Sequence, residues 1–463
     1  MNRVLLRIMA AALLLVVSGL IGWRVLAPAE LSASARTPTP PTPSTELLGV
    51  TSRLNVAPLI VDGTVRVYAA KHQVRADGPV TARAVYTARW SFRRWPEQLS
   101  AVVASGTTVV TRWSDGKLVA IDARTGKEIW RADGPDAPGY AGHRTGAAAV
   151  WDPPGLRTAT GTVLVTEGQT LSGYAVSTGQ SLWTATVPAG CVEGFTTSGN
   201  AYLCATGVYD TTSGAALTGW PAGPYSPVGC GTSGCEAFRD GAGQGWLVTT
   251  AEPRRAPALD DPLATIVAGV VITATHAGAL LPSSPASPAV TPGPGSPAVD
   301  PSPSTSAPVE PPPSAGASTS SSTPAAGTAP SSLAPAGPLP SAPAGTSPSS
   351  YFEAVVGRSV DGAALWTTPG PVRVLGGDSE TVLLLTPGNR LKGVDARTGR
   401  EKYSYRLLFV PDKEDTLKWK PGLFHVTDGF LAIERLNRDA PDDPESPIYY
   451  LTLDTVLLVA LPD

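Results

Sequence analysis

Short apolar runs separated by polar turns fill most of this chain. Val61–Tyr68 and Val102–Thr111 are rich in β-branched residues and centre on glycine, which is typical of β-hairpins. Between residues 47 and 281, no stretch longer than about 10 residues keeps apolar side chains at the i, i+3, i+4, i+7 spacing of an amphipathic helix. The pattern predicts an all-β fold with few helices.

One strand-turn-strand unit recurs along the chain. In its most complete copy, Lys117–Ile121 is an apolar strand, Asp122 and Gly126 frame a turn, and Trp130 follows on a return strand. An Asp can hydrogen-bond to turn amides and a Gly can adopt positive φ, so we expect both to shape the turn. The residues of the other copies that we expect to serve the same structural roles are Gly179, Trp183, Gly362, Trp366, Asp395, Gly399 and Tyr403.

Large aromatic residues recur at a spacing of about 40 residues, the length of one four-stranded sheet in a repeat protein. One such sheet cannot bury both of its faces, whereas sheets stacked radially bury each face against the next. The sequence therefore predicts a β-propeller with seven or eight four-stranded antiparallel blades. To close the ring, Val456–Val459 or its neighbour should share a sheet with residues between Leu59 and Trp90.

Two segments depart from the β pattern. Arg3 and Arg7 precede an apolar run of about 16 residues, which predicts a signal-anchor helix with a cytoplasmic N-terminus and an exported remainder, the alternative being a cleaved signal. A later stretch is mostly Pro, Ser, Ala, Thr and Gly, with too little apolar surface to offset the entropy of ordering. The predicted organisation is a transmembrane segment (1–29), a Pro/Thr-rich polyproline-like spacer (30–46), a first propeller part (47–276), a disordered insert (277–350) and the final blades (351–463).

Composition and charge restrict the class of partner. Charged residues make up 16% of the chain and the formal net charge is −3, so we expect no basic face for a phosphate backbone and no nucleic-acid partner. The 47 Pro and 48 Gly exceed the roughly 5% and 7% of a globular chain. They are unevenly spread, which indicates linkers inside a foldable sequence.

The repeated unit resembles the repeat of the pyrroloquinoline-quinone (PQQ)-binding-like, or quinoprotein-dehydrogenase-like, β-propeller family. The family pattern Gly-x-x-x-Ala-x-Asp-x-x-Thr-Gly-x-x-x-Trp is matched in full from Gly116 to Trp130, and with substitutions in the copy that ends at Tyr403. The resemblance implies a propeller, and the N-terminal segment and insert look like those of membrane-anchored actinobacterial members. Enzymes of this family hold the quinone over two adjacent cysteines beside a calcium ion, whereas no two cysteines are adjacent here.

The chain contains four cysteines, Cys191, Cys204, Cys230 and Cys235. An even number in an exported chain favours disulfides, and four cysteines allow three pairings. Sequence neighbours are the simplest pairs, because the first two flank an expected hairpin and the last two close a small Gly-rich loop. The alternative is a zinc site, although the spacings lack the paired short knuckles of structural zinc sites.

No sequence motif assigns catalytic residues. His-Glu-x-x-His and Gly-x-Ser-x-Gly are absent, and the four histidines are far apart in sequence. We therefore expect no catalytic, cofactor-binding or metal-binding residues. The favoured hypothesis is a monomeric, non-catalytic binding module, tethered to the plasma membrane and lying outside the cytoplasm, for an envelope protein or polymer. The alternative is an exported oxidoreductase that depends on PQQ.

Overall fold

The computed structural model describes residues 3–40, 49–85, 87–231, 234–249, 252–275, 351–378, 380–408, 419–441 and 443–462. The predicted insert, residues 277–350, lies outside the described residues. The helices in the described part are α1 (Arg3–Leu26), α2 (Ala147–Trp151) and the short 3-10 turns Cys191–Glu193 and Pro257–Asp260.

The remaining elements are strands, which confirms the all-β prediction. The first half contains β1 (Ala29–Ala33), β2 (Gly49–Leu54), β3 (Leu59–Val61), β4 (Val65–Ala70), β5 (Gln73–Asp77), β6 (Trp90–Trp95), β7 (Leu99–Ser105), β8 (Thr108–Trp113), β9 (Lys117–Asp122), β10 (Glu128–Asp133), β11 (Leu156–Ala159), β12 (Thr162–Glu167), β13 (Thr170–Ala175) and β14 (Ser181–Thr186). The second half contains β15 (Phe195–Thr196), β16 (Ala201–Cys204), β17 (Gly207–Asp210), β18 (Ser226–Gly231), β19 (Gly234–Arg239), β20 (Gly245–Leu247), β21 (Arg254–Arg255), β22 (Thr265–Val267), β23 (Val270–Thr275), β24 (Phe352–Arg358), β25 (Ala364–Gly377), β26 (Thr381–Thr386), β27 (Arg390–Asp395), β28 (Glu401–Arg406), β29 (Trp419–Thr427), β30 (Phe430–Asn437) and β31 (Val456–Ala460).

Small antiparallel sheets follow one another along the chain and build the predicted β-propeller. One sheet contains seven strands, β22–β28. Within it, the long strand β25 pairs with β24 as far as Val372 and with β26 from Arg373 onward. Most of the other sheets contain four strands, the blade size expected from the repeat. The strand orders within the described residues are β1-β6-β5-β4-β3, β10-β9-β8-β7, β11-β12-β13-β14, β15-β16-β17, β18-β19-β20-β21, β22-β23-β24-β25-β26-β27-β28 and β2-β31-β30-β29.

The ring closes by pairing strands from the two ends of the chain. β2 runs antiparallel to β31, with Gly49 opposite Ala460 and Leu54 opposite Val456. Closure by the C-terminal strand is confirmed, but the predicted partner between Leu59 and Trp90 is wrong. Strands β3 to β6 in that range pair with one another as a separate sheet, and β1 covers its outer edge, so the C-terminal strand pairs with β2 instead.

Helix α1 covers the predicted transmembrane segment, but a membrane span is not supported. In the described ranges, no helix combines the length and apolar character that crossing a bilayer requires. The apolar run lies between Arg7 and Arg24 and falls just below the roughly 17–25 residues of a spanning helix. The structure shows this segment as an N-terminal α-helix.

The predicted spacer begins as a strand that is docked on the propeller. β1 pairs antiparallel with β6, with Ala29 opposite Trp95. β1 contains no proline, so its backbone N–H groups can enter a ladder, whereas the Pro-rich core begins only at Pro38. Beyond β1, the amide of Thr39 donates a 3.0 Å hydrogen bond to the carbonyl of Arg124. The start of this segment therefore belongs to the folded body.

The recurring turns share one hydrogen-bond pattern. Oδ1 of Asp122 accepts hydrogen bonds from the amide of Thr125 (2.8 Å) and from its hydroxyl (2.6 Å), and the amide of Gly126 donates to the Asp122 carbonyl at 2.7 Å. Gly126 has φ +73, where a side chain would be strained. Asp395 makes the same two contacts with Thr398. Those hydrogen bonds lower the pKa of the Asp395 carboxyl.

An aromatic ring links each of several sheets to the next one. Nε1 of Trp130 donates a 2.7 Å hydrogen bond to the carbonyl of Val176 in the following sheet. The indole covers Gly179 so closely that a Cβ at this position would overlap the ring. Its other neighbour is the small Ala120, directly opposite on β9. The same contact between a ring and a glycine of the next turn joins Trp90 to Gly126, Trp183 to Gly214 and Trp366 to Gly399. The residue opposite the ring on the adjacent strand is also small: Gly173 for Trp183, Gly357 for Trp366 and Gly393 for Tyr403.

Both disulfides join sequence neighbours, Cys191 to Cys204 and Cys230 to Cys235. The first lies in a buried cluster beside Tyr202, whose hydroxyl donates a 2.7 Å hydrogen bond to the Cys191 carbonyl. The second joins facing residues of β18 and β19. The favoured pairing is confirmed, and the zinc alternative is wrong because all four sulfurs are bonded to each other in pairs.

Candidate functional site

The repeat residues do not gather at one place. Asp122, Gly126 and Trp130 lie at the junctions of neighbouring sheets, and the other copies occupy equivalent junctions elsewhere in the ring. Gly362, at φ +99, closes a turn in which its amide donates a 2.9 Å hydrogen bond to the carbonyl of Ser359. These side chains shape turns and position aromatic rings. The candidate site must therefore come from the connections between the sheets.

One further turn of the same kind, Asp210–Gly214, is not predicted by the repeat pattern. Oδ1 of Asp210 accepts hydrogen bonds from the hydroxyl of Thr212 (2.6 Å) and the amide of Ser213 (2.8 Å). Gly214 has φ +71 and lies under the ring of Trp183. An Asp four residues before a Gly is the available signal, but no aromatic residue follows at the usual distance.

The connection between β10 and β11, residues 134–155, is here named the crossing segment. It contacts three sheets. The amide of Tyr140 donates to Oε1 of Gln98 at 3.1 Å, and Nε1 of Trp151 donates to the carbonyl of Pro58 at 2.9 Å. Helix α2 within the segment packs against β4, β7 and β29, and its residues Ala147 and Val150 are buried in the core cluster there. The crossing segment is thus held at fixed positions on the ring.

Polar contacts join the crossing segment to the final sheet, which is formed by β2 and β29–β31. The hydroxyl of Thr145 donates a 2.6 Å hydrogen bond to Oε1 of Glu434, a contact across 289 residues of chain. Nδ1 of His143 lies 2.6 Å from Oε1 of Glu445. A neighbouring guanidinium, that of Arg144, lies 4.2 Å from the ring centre of Tyr450. These contacts bring together residues that are distant in sequence.

Two titratable side chains lie buried beneath this junction. Burial raises the pKa of Glu434. Two influences oppose this shift: hydrogen bonds from the Thr145 side chain and the Leu423 amide, and the charges of the nearby Arg144 and His143. Burial lowers the pKa of His425 to about 4. The His425 ring stacks on Trp151 at 6.3 Å between centroids, and its buried Nε2 has no hydrogen-bond partner among the residues that the structure describes. Both groups therefore favour their neutral forms in the folded protein.

The two groups should give stability opposite dependences on pH. Glu434 has a higher pKa in the folded protein than its ordinary value of 4.5. It therefore stabilises the fold at acid pH, and this contribution is lost as the pH rises from 4.5 through the pKa of the folded state. A histidine with a lowered folded pKa contributes stability above 6.5 that is lost as pH falls toward about 4. Relative to wild type, we expect Glu434→Gln to lose stability more steeply on acidification, and His425→Phe to lose it less steeply.

Urea unfolding of both variants between pH 7 and pH 4.5 measures these slopes. For His425, the difference between 6.5 and about 4 corresponds to at most about 3 kcal/mol. Phe keeps a ring against Trp151, and Gln keeps an acceptor for Thr145, so packing changes little. Parallel pH–stability curves for wild type and both variants would contradict the assignment.

Exposed apolar side chains surround this junction. Leu453 is 79% exposed and Ile448 is 56% exposed, both in the connection between β30 and β31, and Leu423 of β29 is 49% exposed. Leu423 is close to the junction, because its amide contacts Oε2 of Glu434 at 3.3 Å. We name residues 140–145, 438–441 and 443–455 together with Leu423 the loop face. Exposed apolar residues rimmed by charges are typical of a protein-interaction surface.

The residues of the described ranges do not form the site that a quinone or metal would need. No group of three or more His, Cys, Asp and Glu side chains in those ranges is arranged to hold a metal ion. The adjacent cysteines of the quinone enzymes have no counterpart, and the disulfides lie at separate positions in the chain. The chain therefore does not fit the quinone site of the enzymes that its repeat resembles.

The comparisons with known proteins agree with this architecture. A family model described as outer membrane protein assembly factor BamB matches residues 17–150 and 90–222. The matched part of this propeller therefore carries PQQ-like repeats. Among proteins with curated functions, none matches it significantly in sequence.

Several solved structures are similar to this chain. BamB from Moraxella catarrhalis is 13% identical over 88% of this chain and 95% of that one, with a TM-score of 0.37. The computationally designed Ika8 protein is 9% identical over 90% and 98%, with a TM-score of 0.42. The C-terminal WD40 domain of Sif2 is 12% identical over 90% and 97%, with a TM-score of 0.40.

Proposed function

We propose that this propeller is a non-catalytic scaffold that binds a protein of the cell envelope through the loop face. The supporting observation is the crossing segment, which ties three sheets together beneath the exposed side chains of Leu423, Ile448 and Leu453. A platform that is already ordered loses little conformational freedom when a partner binds. Apolar anchors held on such a platform are the usual source of affinity in protein interfaces.

Site-specific photo-crosslinking tests the loop face. A photoreactive residue at position 453 or 448 should capture the same partner in intact cells. Leu182 is the matched control, because it is 46% exposed on the outer strand β14 and is also apolar. We expect no specific product at position 182. Equal labelling at positions 182 and 453, or none at either loop-face position, would contradict the proposal.

A substitution measures the energetic contribution of the loop face. Leu453→Asp should weaken binding of the captured partner by about fivefold or more, because it places a charge where an apolar anchor is proposed. Leu182→Asp should leave binding unchanged. Binding is measured by titration of the purified proteins. Equal affinities of the Leu453→Asp variant and wild type would exclude position 453 as an anchor.

The propeller is proposed to lie outside the cytoplasm. Two disulfides and no free cysteine in the described ranges support this location, because such bonds persist in oxidising compartments. Protease treatment of intact cells should degrade the chain if the proposal holds. Cell fractionation then distinguishes a chain attached to the membrane from a released one. Protection from protease until the cells are lysed would place the chain inside.

The sheets are proposed to form eight blades. Strand β25 supports this count, because its residues up to Val372 complete the sheet of β22–β24 and those from Arg373 begin the sheet of β26–β28. Dividing the seven-stranded sheet at this point leaves eight groups of three to five strands around the ring. A crystal structure viewed along the ring axis should show eight radial sheets, and six or seven would refute the count.

A further inference from the structure

A cleft of about 310 Å³ lies between two neighbouring sheets, β18–β21 and the β22–β25 part of the seven-stranded sheet. One wall is formed by the turn Pro257–Asp260 and by Asp261. The other wall is formed by β23, β24 and the turn between β24 and β25. Small-molecule sites have volumes from about 300 Å³ upward. None of the lining residues belongs to the loop face, so the cleft is a separate candidate site.

The wall that contains Asp261 is held in place by a buried arginine. Arg239 is only 8% exposed, and its Nε donates a 2.7 Å hydrogen bond to the carbonyl of Leu259. Its Nη2 donates another 2.7 Å hydrogen bond to the carbonyl of Asp261. The amide of Ala258 donates to the carbonyl of Val360 in the opposite wall at 3.4 Å. Because both walls are ordered before a ligand arrives, binding costs little conformational freedom.

The opposite wall presents a guanidinium and two hydroxyls. Nε of Arg358 donates to Oγ1 of Thr273 at 3.3 Å, and its Nη1 donates to the carbonyl of Gly362 at 3.1 Å. Its Nη2 has no hydrogen-bond partner in the described part of the chain. The hydroxyl of Thr275 donates to the carbonyl of Ala354 at 3.3 Å, which leaves its acceptor lone pairs available. This wall can therefore both donate hydrogen bonds to a ligand and accept them from it.

Two opposite charges line the cleft without pairing. Within the described ranges, Arg358 and Asp361 form no ion pair with each other or with another residue, and the Asp361 carboxylate accepts no hydrogen bond. The third charged residue of the lining, Asp261, accepts a 2.9 Å hydrogen bond from the amide of Leu263. Burial lowers the pKa of Arg239, and the charge of the nearby Asp261 opposes this shift. Asp261 is thus balanced by a buried cation, and one cation and one anion remain for a ligand.

We propose that this cleft binds a free α-amino acid, with its carboxylate at Arg358 and its ammonium group at Asp361. A guanidinium donates charge-assisted hydrogen bonds to a carboxylate. An ammonium group has three donors, which suits the carboxylate of Asp361 and the lone pairs of the Thr275 hydroxyl. A zwitterion matches both charges of the cleft, whereas the end of a peptide carries only one of them. The site is separate from the loop face, so the two proposals can fail independently.

Isothermal titration calorimetry of the full chain with L-alanine, L-lysine and L-glutamate tests the site. We expect saturable binding of at least one of the three. The tightest ligand is then compared with its N-acetyl derivative, which lacks the α-ammonium group, and with its α-amide, which lacks the α-carboxylate. Each derivative should bind about tenfold more weakly or worse, because it loses a charge-assisted hydrogen bond.

Substitutions connect the binding to the two charges. Asp361→Asn should weaken binding by about tenfold or more, and it should leave the fold intact because the exposed Asp361 side chain bonds to no described residue. Arg358→Gln should weaken binding to a similar extent, while the new amide can still donate to the carbonyl of Gly362. Asp136→Asn is the matched control, because Asp136 is an exposed carboxylate outside the cleft. It should leave binding unchanged.

Three results would overturn the proposal. Absence of saturable binding for all three amino acids excludes the site. Equal affinity for an amino acid and its α-amide assigns the cleft to an amine alone, such as the N-terminus of a peptide. Equal losses for Asp361→Asn and Asp136→Asn show that the cleft is not where the amino acid binds. A preference among the three side chains, with both charges required, supports the proposal and identifies the class of amino acid.

Discussion

Replacing Gly179 by alanine is expected to destabilise the propeller by about 3–5 kcal/mol, close to the loss of a buried tryptophan. The added Cβ would overlap the Trp130 ring, which is 7% exposed. The ring cannot move away without losing its hydrogen bond to the carbonyl of Val176 and its packing between two sheets. Urea unfolding followed by tryptophan fluorescence measures the effect, with a shift of the midpoint to lower urea expected.

Gly161→Ala is the matched control for this substitution. Gly161 lies in the same four-stranded sheet and has φ +73, close to the +69 of Gly179, but a Cβ there would meet no atom within 4 Å. Its cost should be only the backbone strain of about 1 kcal/mol. In a Trp130→Ala background, Gly179→Ala should also fall to about this value. Similar losses for Gly161→Ala and Gly179→Ala in the wild-type background would show that the ring does not lock the sheets together.

Arg66→Met is expected to destabilise the protein by about 3–5 kcal/mol, because it leaves a buried carboxylate without its cation. The Arg66 and Asp77 side chains are 0% and 1% exposed and lie 2.9 Å apart. The same guanidinium donates 2.8 Å hydrogen bonds to the carbonyls of Ala82 and Ala84. The variant should therefore also loosen the connection between β5 and β6. Thermal unfolding and limited proteolysis measure the two effects.

Arg94→Met provides the comparison for Arg66→Met. Arg94 and Asp115 form an equally short pair at 2.7 Å, but their side chains are 12% and 30% exposed. Solvent screens such a pair, so its loss should cost about 1 kcal/mol or less. Adding Asp77→Leu to Arg66→Met should recover part of the loss, since no buried charge then remains. If Arg66→Met and Arg94→Met have equal effects, burial does not set the importance of the first pair.

Local features of the chain could be predicted with good accuracy. The Asp122 and Gly126 turn, the apolar strands and the two disulfides depend on residues within about 15 positions of one another. Hydrogen-bonded turns and strand alternation are determined at this short range. The missed Asp210–Gly214 turn shows the limit, because its hydrogen bonds match the repeat while its flanking sequence does not.

The sequence gives the net charge of the chain but not the distribution of charged side chains over its surface. The net charge of −3 suggested that no basic face exists, but residues 390–406 contain six cationic side chains and only two carboxylates. Whether a cation is neutralised depends on its neighbours in space. Arg124 forms an ion pair with Asp62, whereas the residue near Arg397 in the corresponding turn is the uncharged Ala268. These neighbours lie in the preceding sheet of the ring, so sequence composition cannot identify them.

By itself, the sequence determined that this protein is an all-β repeat and what its turns look like, and it favoured the cysteine pairs that the structure shows. Only the tertiary structure decided that β2 closes the ring with β31 and that the 29–33 segment joins a sheet. It also decided that Thr145 meets Glu434 across 289 residues. The reason is physical: a turn or a strand is stabilised by its own neighbours, whereas closure and the loop face depend on which distant surfaces meet once the sheets have stacked.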